Sequence, residues 1–259
     1  MILVLIDGTG VFDDATYRSD FQNGFLKRLE RNFTGHGEVR YWRGPITFDI
    51  DSAGIRDEVV AFLMSGRGTG PAHQVVIAGY SRGAAIAISV ANFLHHQNLY
   101  PPAFDVNGSF DIPLLLLFDA VNRSSTLEET EYIPPTVQKC FHAKRDPRVT
   151  SRWYFGNCAS NPADSIDYRE RHFFCTHAGM GGCPWTGDHP ERSVVDPSSV
   201  HTPRGRGDSG FTYLPHLAPI ITEEEDTHNS EKIALWMNQQ IATTSLAAHN
   251  LILDIAAIR

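Results

Sequence analysis

The sequence contains no run of about 18 consecutive apolar residues, so no part of it predicts a membrane-spanning helix. Basic residues are outnumbered, with 22 Lys and Arg against 30 Asp and Glu, and the formal net charge of −8 argues against a nucleic acid held by phosphate contacts. No basic leader precedes an apolar stretch at the N-terminus, so we expect a cytoplasmic protein without stable membrane insertion. In that compartment we expect the 4 cysteines to be free thiols.

The composition suits a folded protein, since 42% of the 259 residues are hydrophobic. A chain of this length buries roughly three quarters of the surface that its unfolded form exposes, so it needs neither metal nor disulfide to fold. No internal repeat is evident. We therefore expect a single domain over residues 1–259.

Short apolar runs alternate with segments of helical spacing along most of the chain. This alternation predicts an α/β fold with a mostly parallel, doubly wound sheet and helices on both faces. The predicted strands cover residues 2–6, 38–42, 74–78, 113–118, 137–143 and 172–176, and the predicted helices lie at about 21–33, 55–63, 84–95 and from 231 onward. Residues 186–226 carry no apolar period and predict a loop-rich, lid-like segment.

The sequence Gly79-Tyr80-Ser81-Arg82-Gly83 is a G-x-S-x-G motif between a predicted strand and a predicted helix. That placement is the one in which the motif raises a serine hydroxyl above a sheet edge as a nucleophile. Glycines allow the strained turn, and the helix N-terminus offers N–H groups to a developing oxyanion. Ser81 is therefore the candidate nucleophile.

A nucleophilic serine needs a histidine base and a carboxylate that orients the base. His177 is the candidate base because it follows an apolar run and precedes a glycine-rich turn. Asp119 is the candidate acid because it directly follows the apolar strand 113–118. Ligands of such sheets lie at the carboxyl ends of the strands, so these side chains are expected to meet there.

The sequence leaves one alternative open for the acid and one for the base. Asp146 follows the strand 137–143 and is the alternative acid, although neighbouring basic residues favour a salt bridge equally. His142 competes as the base, but it lies inside a predicted strand, where packing is the more usual role.

A second glycine-containing motif, Asp7-Gly8-Thr9-Gly10, ends the first predicted strand. We expect this loop to supply one oxyanion donor, at the N–H of Gly8 or Thr9, and the N–H of Arg82 to supply the other.

Taken together, the motifs resemble those of the α/β-hydrolase family that includes the phospholipase effectors of type VI secretion. They occur in the order Asp-Gly-Thr at 7–9, Gly-Tyr-Ser-Arg-Gly-Ala at 79–84, Phe-Asp-Ala-Val at 118–121, Phe-His-Ala at 141–143 with Asp146 and Arg148, and Thr-His at 176–177 before Gly181 and Gly182. Ala178 and Gly179 stand where the family usually has a polar pair. The resemblance implies an α/β-hydrolase fold and an esterase or lipase, with phospholipid as the best-known substrate class.

The sequence thus predicts a serine hydrolase that cleaves a small-molecule or lipid ester through Ser81, His177 and Asp119, without a cofactor. No metal is expected, because Cys175, His177, Cys183 and His189 match no standard zinc-binding spacing. Two other classes remain as alternatives. One is a hydrolase-fold binding protein or scaffold without turnover, and the other is an amidase or acyltransferase that uses the same three residues.

Overall fold

The computed structural model describes residues 1–33, 37–46, 51–65, 73–99, 110–149, 156–184, 221–246 and 251–254. The strands are β1 (Ile2–Ile6), β2 (Glu38–Trp42), β3 (His73–Tyr80), β4 (Phe110–Phe118), β5 (Tyr132–Ile133), β6 (Lys139–Arg145), β7 (Asn161–Pro162) and β8 (Asp167–Phe173). The helices are α1 (Asp14–Phe21), α2 (Phe25–Asn32), α3 (Ser52–Ser65), α4 (Arg82–Leu99), α5 (His177–Met180) and α6 (Glu223–Ile241).

Six strands form one sheet in the order β2-β1-β3-β4-β6-β8, and all of its pairings are parallel. The central strands β1, β3 and β4 are apolar along almost their whole length because both faces of the sheet are covered. One apolar core lies under α3 and α4, and a second core on the other face lies under α2, α5 and α6. The α/β class, the parallel sheet and the helices on both faces are therefore as predicted.

The predicted strand 172–176 is wrong in its position, because β8 spans Asp167–Phe173. β8 is the edge strand of the sheet and most of its side chains are exposed, so its sequence is rich in charge and shows no apolar run. The apolar residues that suggested the strand lie mostly after it. His177 consequently begins the short helix α5 instead of directly following a strand.

Two helix boundaries also differ from the prediction. The helix expected at about 21–33 is α2, which begins only at Phe25, and Phe21 instead ends the separate helix α1. The last helix begins at Glu223 instead of 231, since a Thr222–Glu225 capping box closes its N-terminus and acidic residues fill its first turn. The lid-like segment predicted at 186–226 is therefore helical from residue 223, and residues 186–220 lie outside the described part of the chain.

In the part of the chain that the structure describes, no helix is both long enough and apolar enough to cross a bilayer.

Candidate active site

Ser81 is the only residue between β3 and α4, and the turn around it depends on two close backbone approaches. Its φ of 56° lies in the left-handed region, which residues other than glycine seldom adopt. A Cβ at Gly79 would lie 2.5 Å from the Cα of Ala84, and one at Gly83 would lie 2.2 Å from the carbonyl oxygen of Ile6. Glycine is therefore required at both positions. The turn leaves Ser81 6% exposed at the carboxyl edge of the sheet.

The three side chains selected from the sequence meet in one hydrogen-bonded chain. Ser81 Oγ lies 2.8 Å from His177 Nε2, and His177 Nδ1 lies 2.6 Å from Asp119 Oδ2. A carboxylate can only accept, so Nδ1 carries the hydrogen of the neutral imidazole and Nε2 accepts from the serine hydroxyl. This tautomer is the one in which the imidazole can take a proton from Ser81.

Asp119 is fully buried, yet its environment keeps it ionised. Burial by itself favours the neutral acid, but the guanidinium of Arg145, the bond from His177 and the amide of Asn157 together hold the pKa of Asp119 well below its usual range. Asn157 Nδ2 donates to Oδ1 at 2.7 Å, and the Arg145 backbone N–H donates to the same oxygen at 3.3 Å. The carboxylate can therefore stabilise an imidazolium at neutral pH.

His177 is anchored through its backbone neighbours. Thr176, the N-cap of α5, donates its N–H to Asp226 Oδ1 at 2.6 Å and its hydroxyl to Asp226 Oδ2 at 2.7 Å. Its hydroxyl oxygen accepts from the Gly179 N–H at 3.1 Å. Tyr80 donates its hydroxyl to the His177 carbonyl at 2.7 Å, and its ring centroid lies 5.2 Å from the imidazole centroid. Residues from β3 and α6 thus fix the segment that presents the imidazole.

The alternative acid and the competing base have other contacts. Both carboxylate oxygens of Asp146 bind the guanidinium of Arg148, at 2.9 and 2.7 Å. His142 is buried within β6, where its Nε2 accepts from the Ala120 N–H at 3.3 Å and its Nδ1 lies 3.3 Å from the Tyr168 hydroxyl. Burial lowers the pKa of His142 to about 3, so this imidazole is neutral at pH 7. These contacts are the salt-bridge and packing roles that the sequence left open.

The loop after β1 lies beside Ser81. A Cβ at Gly8 would be 3.2 Å from the Cβ of Ser81. The Gly8 N–H donates to Asp7 Oδ1 at 2.8 Å, so of the two candidate oxyanion donors in this loop the geometry favours Thr9. Arg82 is the first residue of α4, and the first N–H groups of a helix have no acceptor within the helix.

Two of the residues considered for a metal site, His177 and Cys175, contact other groups. His177 binds Ser81 and Asp119, the Sγ of Cys175 lies 3.1 Å from Asp226 Oδ1, and His189 lies outside the described residues. Among the residues that the structure describes, no three or more His, Cys, Asp or Glu side chains cluster as metal ligands would.

Sequence reasoning missed several residues that shape this site, namely Tyr17, Asn157 and Asp226. Asn157 and Asp226 lie 38 and 50 residues along the chain from the groups that they hold. Tyr17 lies nine residues from Gly8, whose carbonyl accepts from its hydroxyl, and none of the three belongs to a recognisable motif. Arg145 is one of the basic residues next to Asp146 in sequence, whereas its charge acts on Asp119.

No protein-family model matches the chain, and no curated protein is significantly similar to it. Several solved structures are similar in backbone, and two of them are as follows. An uncharacterised protein from Pseudomonas aeruginosa aligns with 13% identity and a TM-score of 0.46 over 70% of this chain and 41% of its own. The Tle1 effector bound to the VgrG spike of the type VI secretion system aligns with 14% identity and a TM-score of 0.48 over 74% of this chain and 52% of its own. This chain thus spans about half the length of those two proteins or less.

Proposed function

We propose that this chain is a serine esterase that hydrolyses carboxylic esters through a covalent acyl-enzyme. The observation that carries the proposal is the hydrogen-bonded chain from Ser81 through His177 to the buried, ionised Asp119. Acyl transfer requires a nucleophile, a base and a carboxylate that orients the base, hydrogen-bonded in this order.

In the first step, Ser81 Oγ attacks the ester carbonyl carbon while His177 Nε2 accepts the hydroxyl proton. The tetrahedral intermediate places a negative charge on the former carbonyl oxygen, where the N–H groups of Arg82 and Thr9 donate to it. Asp119 holds the imidazole by Nδ1 and stabilises the imidazolium. The bond to the alcohol oxygen then breaks, and His177 returns its proton to the leaving alkoxide.

In the second step, water replaces the alcohol. His177 accepts a proton from the water, whose oxygen attacks the acyl carbon. The same donors stabilise the second oxyanion, and Ser81 regains its proton as the carboxylic acid departs. All proton transfers involve His177 Nε2, so the single imidazole serves both steps.

The sequence motifs support a narrower proposal about the substrate. Their resemblance to the phospholipase effectors of type VI secretion makes a phospholipid ester the first substrate class to test, with the enzyme acting from the cytoplasm. The single-domain organisation over residues 1–259 belongs to the same proposal.

The test is a panel of p-nitrophenyl esters of increasing acyl length, phospholipids and matching amides, assayed on the purified wild type and on Ser81→Ala. We expect ester hydrolysis by the wild type and a loss of about 10³-fold or more in Ser81→Ala. Ser89→Ala is the matched control, because Ser89 lies on α4 and is 5% exposed, close to the 6% of Ser81.

Hydrolysis that persists unchanged in Ser81→Ala would refute the proposal. Absence of turnover on every ester would favour the scaffold alternative, and faster turnover of amides than of esters would favour an amidase.

A further inference from the structure

The Gly8–Thr9 peptide beside Ser81 is held by its carbonyl group. The Gly8 carbonyl oxygen accepts from the Tyr17 hydroxyl at 2.7 Å. The C=O and N–H of a trans peptide point to opposite sides, so the direction of the Gly8 carbonyl fixes the direction of the Thr9 N–H. The neighbouring Asp7–Gly8 peptide is held separately, through the Gly8 N–H and Asp7 Oδ1 at 2.8 Å.

Tyr17 is held in place by contacts of both its hydroxyl and its ring. It lies on α1 and is 1% exposed. Its hydroxyl oxygen accepts from the Gly44 N–H at 2.7 Å, which leaves the hydroxyl hydrogen for the Gly8 carbonyl. Its ring stacks on Phe21 with 4.4 Å between centroids, and the Arg43 guanidinium lies 4.3 Å from the ring centroid. The ring is therefore positioned by contacts that do not involve its hydroxyl.

The hydroxyl also remains a donor throughout the pH range of interest. Burial, with the nearby carboxyl of Asp7, raises the pKa of Tyr17 well above its usual value. A tyrosinate could not donate to the Gly8 carbonyl, so a protonated phenol is the form that holds this peptide.

We propose that Tyr17 is a positioning residue of the oxyanion hole, which holds the Gly8 carbonyl and thereby keeps the Thr9 N–H in the donating orientation. The inference rests on the proposed esterase function. Tyr17 touches no reacting atom, and its effect reaches the substrate only through the Gly8–Thr9 peptide. Removal of the hydroxyl frees that peptide to rotate, and the tetrahedral intermediate then loses one of its donors.

The test is Tyr17→Phe, which removes the hydroxyl and keeps the ring that Phe21 and Arg43 contact. Loss of one oxyanion donor costs about 10² to 10³ in kcat, and a misoriented donor is expected to cost about tenfold or more, with KM changed by less than about twofold. Rates are counted per serine that a fluorophosphonate titrates, so unfolded molecules do not contribute.

A second readout separates positioning from general stability. A trifluoromethyl ketone forms a hemiketal whose oxyanion occupies the hole, so its affinity should fall in parallel with kcat in Tyr17→Phe. Tyr168→Phe is the matched control, since it also removes a hydroxyl that donates a hydrogen bond, to Glu170 Oε2 at 2.8 Å, away from this loop. We expect this control to keep the wild-type affinity for the ketone.

Thr9→Pro tests the same donor independently, because proline has no N–H. A folded Tyr17→Phe with wild-type kcat and ketone affinity would overturn the inference, and so would a folded Thr9→Pro with wild-type kcat. Either result with Ser81→Ala inactive leaves the esterase proposal standing, whereas an active Ser81→Ala removes that proposal itself.

Discussion

Asp119 is a buried carboxylate that accepts three hydrogen bonds, from His177, Asn157 and the Arg145 backbone. Substitution of the orienting carboxylate by an amide leaves the shape intact but supplies the wrong tautomer to the base. We expect Asp119→Asn to lower kcat by about 10³ to 10⁴-fold with KM little changed. Steady-state kinetics on p-nitrophenyl esters measures this.

Asp146→Asn is the matched control for that experiment, because the same substitution there removes a contact with Arg148 near the protein surface. Its kcat should remain within about twofold of the wild type, since exposed ion pairs contribute little. If instead Asp146→Asn were the inactive variant and Asp119→Asn the active one, the assignment of the acid would be reversed.

The titration of Asp7 lowers the stability of the folded protein as the pH rises. Burial raises the pKa of this carboxyl to about 7, whereas an unfolded chain titrates near ~4. Between those values the folded protein binds more protons than the unfolded chain, so this group's stabilising contribution, fully present below about pH 4, is lost as the pH rises through 7.

Asp7→Asn removes that titration. The unfolding free energy of the variant relative to the wild type should therefore increase by on the order of 2 kcal/mol between pH 5 and pH 8. Urea unfolding at both pH values measures it. Parallel stability curves for the two proteins would show that Asp7 does not titrate in this range.

For single residues, the sequence predicts the groups that belong to a local motif or directly follow an apolar strand. Ser81 has a motif and Asp119 directly follows an apolar strand, so their meeting could be expected from the geometry of parallel sheets. Asn157 and Asp226 could not be found in this way. Each acts through a contact made only after folding, with a partner 38 residues away for Asn157 and 50 for Asp226.

Among the elements, α6 supports the segment that carries the base, His177, although its contact residue Asp226 lies 50 residues after Thr176. Asp226 accepts both the N–H and the hydroxyl of Thr176, and Ser230 donates to the Gly179 carbonyl at 2.8 Å. Asp226→Ala leaves the buried N–H and hydroxyl of Thr176 without their acceptor, which costs about 1–3 kcal/mol for each unsatisfied group. We expect lower stability and a kcat reduced about tenfold per titratable serine, because His177 loses its anchor.

Glu224→Ala is the control for that prediction, since it removes a carboxylate from the same first turn of α6 at an exposed position. Thermal unfolding and active-site titration on both variants separate stability from catalysis. An Asp226→Ala protein with wild-type kcat per titrated site would limit α6 to a structural role.

The elements differ in how well the sequence predicts them. β1 and β2 have the predicted bounds, and β4 contains the whole of its predicted strand. β8 was misplaced because an edge strand exposes charged side chains and loses the apolar signal. The start of α6 was missed because capping and charge, not apolar period, define its first turns.

At the scale of the whole molecule, the sheet order brings together residues that are distant in sequence. β1, β3 and β4 are neighbours in the sheet, so the Asp7–Thr9 loop, Ser81 and Asp119 emerge side by side from their carboxyl ends. His177 reaches them from α5, after the edge strand β8. Parallel topology therefore makes one site from four separate parts of the chain.

The central claim is that Ser81 is an activated nucleophile. Reaction of the folded protein with a fluorophosphonate probe, followed by mass spectrometric mapping of the modified peptide, tests it most directly. The account predicts stoichiometric labelling at Ser81 that is lost on heat denaturation beforehand and strongly slowed in Asp119→Asn. A folded protein that shows no modification at Ser81 would contradict it.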